Sequence, residues 1–124
     1  MTQTLAIAGG GALGALLRYW VSAWVYGVWG RGFPYGTLAV NVLGSLAMGA
    51  AYVLLVERLS VGPEVRALLL VGLLGAFTTF STFSLETLNL IEDGELVKAG
   101  LNMALSMALC VVAAWVGMIG GRQL

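Results

Sequence analysis

Residues 75–84 read GAFTTFSTFS and concentrate hydroxyls and aromatic rings in a stretch without charge. Thr78, Thr79, Ser81 and Thr82 offer neutral hydrogen-bond donors, and so many hydroxyl and β-branched residues give a continuous helix poor propensity. An interruption is expected there. At membrane depth, irregular backbone is tolerated only where protein buries it or it lines a cavity, and its freed carbonyls can coordinate a cation. Phe80 and Phe83 lie three apart and share a helix face. Taken alone, the two rings read first as core packing; their positive edges could also face a small anion.

Other polar residues interrupt otherwise apolar runs. Asn41 follows Thr37 by about one turn, and its amide is either glue between helices or a donor facing a permeation route. Asn102, Ser106 and Cys110 recur every four residues and form one stripe, suited to knitting helices together or to a track for an ion. Arg18 lies within a long apolar run and Glu86 closes another. They can form an ion pair, or both can stand at a vestibule where charge raises the local anion concentration. Gly9, Gly11 and Gly14 form a GxGxxG string, but the first acid in the chain is Glu57, so the dinucleotide reading lacks its ribose-binding partner. That string reads as a packing face.

The elements that must hold these residues follow from the charges. Of 124 residues, 60% are hydrophobic and 10% charged, too little polar surface for a compact soluble fold. Runs with little or no charge cover Leu5 to Val25, Thr37 to Val56, Ala67 to Leu85 and Leu101 to Ile119. Each matches the roughly 20 residues that cross a hydrocarbon core of about 30 Å. We therefore expect an all-α membrane protein: one domain, residues 1–124, of four transmembrane helices with a break in the third. No joint is long enough for a soluble domain. The N-terminus carries no Lys or Arg ahead of its apolar run, so no removable signal is expected. Histidine is absent and Cys110 is the only cysteine, which excludes disulfides, Cys/His zinc sites and His-dependent catalysis. Six basic and six acidic residues balance, so nothing marks a nucleic-acid partner. The chain does not read as an enzyme.

Small residues recur four apart at Gly10 and Gly14, Ser45 and Gly49, Gly72 and Ala76, and Ala113, Gly117 and Gly121, and are assigned to close helix packing. Aromatic residues from Tyr19 to Tyr35 gather where the first span ends and mark a headgroup level. Four crossings place Arg58, Arg66 and Arg122 on one side and Arg18, Arg31 and Lys98 on the other. Orientation follows the Lys/Arg difference between short loops. Three against three permits insertion both ways, and hence an antiparallel homodimer that supplies the walls four helices lack.

GGALGALLRY (10–19), GTLAVNVLGS (36–45) and GAFTTFSTFSLET (75–87) resemble the signature segments of the CrcB/Fluc family of fluoride ion channels, and the likeness covers essentially the whole chain. The resemblance implies a dual-topology antiparallel homodimer in the prokaryotic plasma or inner membrane, passing fluoride passively out of cells through two pores. Asn41 matches the family's pore asparagine, and Phe80 and Phe83 its paired phenylalanines. Gly75 and Thr78 match the point where backbone carbonyls of both subunits hold one structural sodium ion at the dimer centre. Arg18 and Glu86 match vestibule positions, and Asn102, Ser106 and Cys110 a polar track. Asn102 and Cys110 depart from the aromatic or hydroxyl residue and the serine often found there. Neutral donors, here the Asn41 amide and the Thr79, Ser81 and Thr82 hydroxyls, suit an anion that must be held without being trapped. A proton-coupled drug exporter of the small multidrug-resistance type would need an acid deep in a span, and Glu86 is near an end. An assembly subunit without transport would leave the polar cluster at Asn41 and 78–82 unexplained.

Overall fold

The structure, a computed structural model, describes all 124 residues as four long helices joined by short turns. We number them α1 (Thr2–Trp29), α2 (Tyr35–Arg58), α3 (Pro63–Glu92) and α4 (Leu96–Gln123). All four are long and apolar enough to cross a membrane. They extend past the low-charge runs at every end. At 1.5 Å per residue the 28 residues of α1 reach about 42 Å, so its aromatic C-terminal turns continue as helix into the headgroup zone.

The joints end helices for identifiable reasons. Gly30 at φ 83° follows α1 and Gly94 at φ 80° follows α3, a left-handed backbone that glycine adopts without Cβ strain. Pro63 opens α3 at its first turn, where a missing N–H costs nothing. Two stretches flanking the second joint, Val53–Arg58 and Ala67–Leu74, are wound as wider π-type turns. Lys98 donates to the Gly32 carbonyl at 3.0 Å, tying the third joint to the first. Arg58 donates to the carbonyls of Gly121 and Arg122, tying the second joint to the C-terminal end of α4. Consecutive helices thus run in alternating directions.

Two close pairings organise the bundle. A Cβ on Gly10 or Gly14 would run into the carbonyls of Leu68 or Leu73, and one on Gly72 into the backbone of α1, so α1 lies backbone to backbone against the first part of α3. A Cβ on Gly49 would strike the Ala114 carbonyl and one on Gly117 the Leu46 carbonyl, so α2 seats on α4 in the same way. Ser45, read from spacing as part of that seam, also borders a cavity between the two helices.

Only 18 residues are buried, and Trp20, Trp24, Met107, Val111 and Trp115 stand exposed among many other large apolar side chains. A surface this apolar belongs against lipid or another protein surface. Thr37, Thr87, Asn102 and Ser106 are buried beside an apolar core of Val40, Val53, Ala67, Phe83 and Ala99. Glycines from the helix contacts, Gly10, Gly14, Gly49, Gly72 and Gly117 among them, make up much of the remaining interior.

Candidate functional site

Within α3 the helix runs through Gly75–Phe77 and again through Phe80–Glu92, while Thr78 (φ −88°, ψ 158°) and Thr79 (φ −151°, ψ 119°) are extended. Each threonine caps one of the ends so created. Both the amide and the hydroxyl of Thr78 donate to the Leu74 carbonyl at 3.2 Å, closing the first half. The Thr79 hydroxyl oxygen accepts from the Thr82 amide at 3.2 Å, an N-cap for the second half. Ser81 lies 3.3 Å and Thr82 3.1 Å, hydroxyl to hydroxyl, from Thr79. These hydroxyls are engaged with one another around the turn.

Asn41 of α2 meets this segment at two points. Its Nδ2 donates to the Thr79 carbonyl at 2.9 Å, and its Oδ1 accepts the Thr79 amide at 2.7 Å. The side chain thereby supplies the backbone partners that an extended residue would find on a neighbouring strand. One N–H of the amide remains uncommitted. Arg18 of α1 donates Nε to the Ala76 carbonyl at 3.0 Å, in the last turn of the first half, where a cation offsets the helix's partial negative end.

A cavity of about 400 Å³ opens between α2, the Thr78–Thr79 segment and α4. Asn41, Thr79, Phe80, Phe83, Ser106 and Cys110 line it, brought together from three helices. The rings of Phe80 and Phe83 are 5.2 Å apart and tilted by 46°. They differ in setting: Phe83 is 9% exposed and Phe80 77%. No lining residue is charged. Ser81, Thr82, Asn102, Gly75, Arg18 and Glu86 lie outside the lining.

Asn102 is buried away from the cavity, where its Nδ2 donates to the Thr87 hydroxyl at 2.8 Å. Thr87 in turn donates to the Phe83 carbonyl at 2.7 Å, and Ser106 to Asn102 Oδ1 at 3.5 Å. Thr87 is a residue that sequence reasoning missed; the signal available was its position one turn after Phe83 on the same face. Gly44 was missed likewise. It lies one turn after Asn41, and a Cβ there would strike Thr78 and the Phe77 ring.

Arg18 and Glu86 do not pair. Glu86 Oε2 accepts the Tyr26 hydroxyl at 2.8 Å, Tyr26 approaches the Thr37 hydroxyl at 3.5 Å, and Arg31 lies over the Tyr26 ring at 4.5 Å. Tyr26, Arg31 and Glu86 border a second cavity of about 200 Å³ near the first joint. Tyr26 entered the sequence reading only as a headgroup-level aromatic.

No group of three His, Cys, Asp or Glu side chains could hold a metal ion, so the oxygens available to a cation here are neutral ones. With its amide turned to Asn41, Thr79 no longer donates to the Gly75 carbonyl, and no hydrogen bond reaches the Thr78 carbonyl. Oxygens of this kind suit a hard cation.

Residues 5–118 match the family described as CrcB-like protein, Camphor Resistance (CrcB). Proteins called fluoride-specific ion channel FluC are similar along the chain. The one from Shewanella amazonensis is 55% identical over 94% of both chains, and that from Magnetococcus marinus 55% identical over 97% of this chain and 98% of its own. A protein of the same name from Methylococcus capsulatus is 57% identical over 96% of this chain, which spans about half (52%) of that relative's length. With its four apolar spans, the chain is a multi-pass integral membrane protein, and it belongs to the CrcB-like family.

Proposed function

We propose that this protein is a fluoride-selective channel, working as an antiparallel homodimer with two pores that let fluoride leave the cell down its gradient. The observation that carries this reading is the cavity beside Thr78 and Thr79. Its polar groups, from Asn41, Thr79, Ser106 and Cys110, are neutral, and the Phe80 and Phe83 rings flank them. Fluoride is small and tightly hydrated, so a route must offer short hydrogen bonds in place of water yet release the ion. Neutral donors and ring edges meet both demands, where a fixed cation at the site would hold the ion too long. The names of relatives 55% identical over nearly their whole length support the same choice of ion.

The second copy is needed because the cavity is open and Phe80 stands exposed on the surface of one chain. The three-to-three balance of basic residues supports insertion in both orientations. A sodium ion, when bound, would supply a fixed positive charge at the dimer centre and join the two interrupted helices. The Gly75 and Thr78 carbonyls of each copy would hold it. Thr79 borders the cavity, Ser81 and Thr82 hold its hydroxyl, and Arg18 and Glu86 belong to the approaches. The exporter reading finds no deep acid: Glu86 is bound to Tyr26 beside the first joint.

Fluoride efflux from liposomes containing the purified protein, followed with a fluoride electrode, tests the reading. Rapid fluoride loss with chloride retained supports it. Equal loss of both ions, or retention of both, overturns it.

A further inference from the structure

Asn41 is bonded at both of its polar atoms to one residue, and that residue's amide has another natural destination. In an uninterrupted α3 the Thr79 N–H would close on the Gly75 carbonyl four residues back. It is instead held at 2.7 Å by Asn41 Oδ1, while the Thr79 carbonyl is occupied by Asn41 Nδ2. The extended dihedrals of Thr78 and Thr79 keep the two helix halves apart, and the Thr78 carbonyl is left without a hydrogen bond. Arg18 meanwhile takes the Ala76 carbonyl from the other side of the pair. Of the carbonyls around the interruption, those of Ala76 and Thr79 are withdrawn by side chains, and those of Gly75, Phe77 and Thr78 are not.

We propose that Asn41 is a positioning residue for the cation site: by capturing the Thr79 amide it stops that amide from closing on the Gly75 carbonyl, and so keeps a cation ligand open. This rests on the sodium reading above and gives Asn41 work separate from any contact with the permeating anion. Removing the side chain frees the Thr79 amide to rebuild the helical bond. The Gly75 carbonyl then satisfies an N–H, and its hold on a cation weakens. An aspartate at position 41 still accepts the Thr79 amide, although it loses the bond to the Thr79 carbonyl and can donate nothing to a passing anion.

The test measures sodium-dependent thermal stabilisation of the purified protein in detergent, with sodium titrated against N-methyl-D-glucamine at constant ionic strength. Fluoride flux is measured in parallel. In Asn41→Val, the sodium concentration for half-maximal stabilisation is expected to rise at least about ten-fold, with Asn41→Ser as a second variant should the first not fold. In Asn41→Asp it should stay within about three-fold of the wild-type value while flux is lost. If the valine and serine variants keep the wild-type sodium response and lose only flux, Asn41 acts in the pore alone and the proposal fails. A wild-type protein with no sodium response overturns the sodium reading and this proposal together.

Discussion

Asn102 of α4 donates to the Thr87 hydroxyl of α3 across 2.8 Å, and the same hydroxyl donates to the Phe83 carbonyl at 2.7 Å. The relay joins α4 to the backbone of a cavity-lining ring. It places the Asn102 amide in a structural bond rather than on the cavity wall. In an interior this small, each such bond fixes a helix register, because an unsatisfied amide has no water to turn to.

Thr87→Val keeps the side chain's shape and leaves the Asn102 amide buried without its acceptor. We expect a loss of about 1–3 kcal/mol in unfolding free energy. Adding Asn102→Leu should recover part of that loss, because the stranded amide is removed and only the long Ser106 hydroxyl contact goes with it. A double-mutant cycle in detergent, followed by thermal or denaturant unfolding, measures the coupling. Strictly additive effects would mean the bond contributes nothing.

A glycine inside a helix seam and one outside both seams predict opposite outcomes, and Gly9, read from its spacing as part of a packing face, is the one outside. Gly117→Ala drives a methyl into the Leu46 carbonyl and should destabilise by about 1–3 kcal/mol through overpacking. Gly9→Ala meets nothing within 4 Å in a helix interior and should be neutral or stabilising by up to about 1 kcal/mol. Comparing the unfolding midpoints of the two variants decides the matter. Equal tolerance at both sites would contradict the backbone contact between α2 and α4.

Much of this arrangement is legible in the sequence because membrane insertion forces charges into the joints. Arg31, Glu57, Arg66 and Glu92 bracket the four spans. The helix ends are less legible. α1 continues to Trp29 because interfacial aromatics are compatible with helix, whereas reading only apolar residues stops at Val25. The hydroxyl run at 75–84 marks the stretch in which Thr78 and Thr79 are extended. Pairings across helices are another matter. Whether Asn41 meets an ion or the Thr79 backbone, and whether Glu86 meets Arg18 or Tyr26, depends on helix rotation, to which a single chain's residue types are blind.

Phe80 and Phe83 allow stability to be separated from transport. Isoleucine at position 83 removes a buried ring and should cost about 1–3 kcal/mol in unfolding, while the same change at the exposed position 80 should cost under about 1 kcal/mol in the isolated chain. Fluoride flux should nonetheless fall at least about ten-fold in both, because both rings border the cavity. Unfolding curves and liposome efflux on the same preparations provide the check. Full flux in Phe80→Ile would remove that ring from the pathway.

The proposed insertion in both orientations makes a prediction about charge. Arg58, Arg66 and Arg122 oppose Arg18, Arg31 and Lys98, so a tag on either terminus should be reachable from both faces of the membrane. Arg31 lies over Tyr26, and Arg58 bonds the carbonyls at the end of α4, so altering either confounds topology with packing. Arg66 is exposed and no hydrogen bond or ion pair engages its side chain. Arg66→Gln therefore changes the balance to two against three with little structural cost, and a second lysine beside Lys98 makes it two against four. Labelling of tagged cells before and after permeabilisation should then show one orientation dominating, with the side richer in basic residues facing the cytoplasm. Since an antiparallel pair needs both orientations, fluoride efflux should fall in step with the minority orientation. A biased chain that keeps full flux would show that a parallel pair or a single copy suffices.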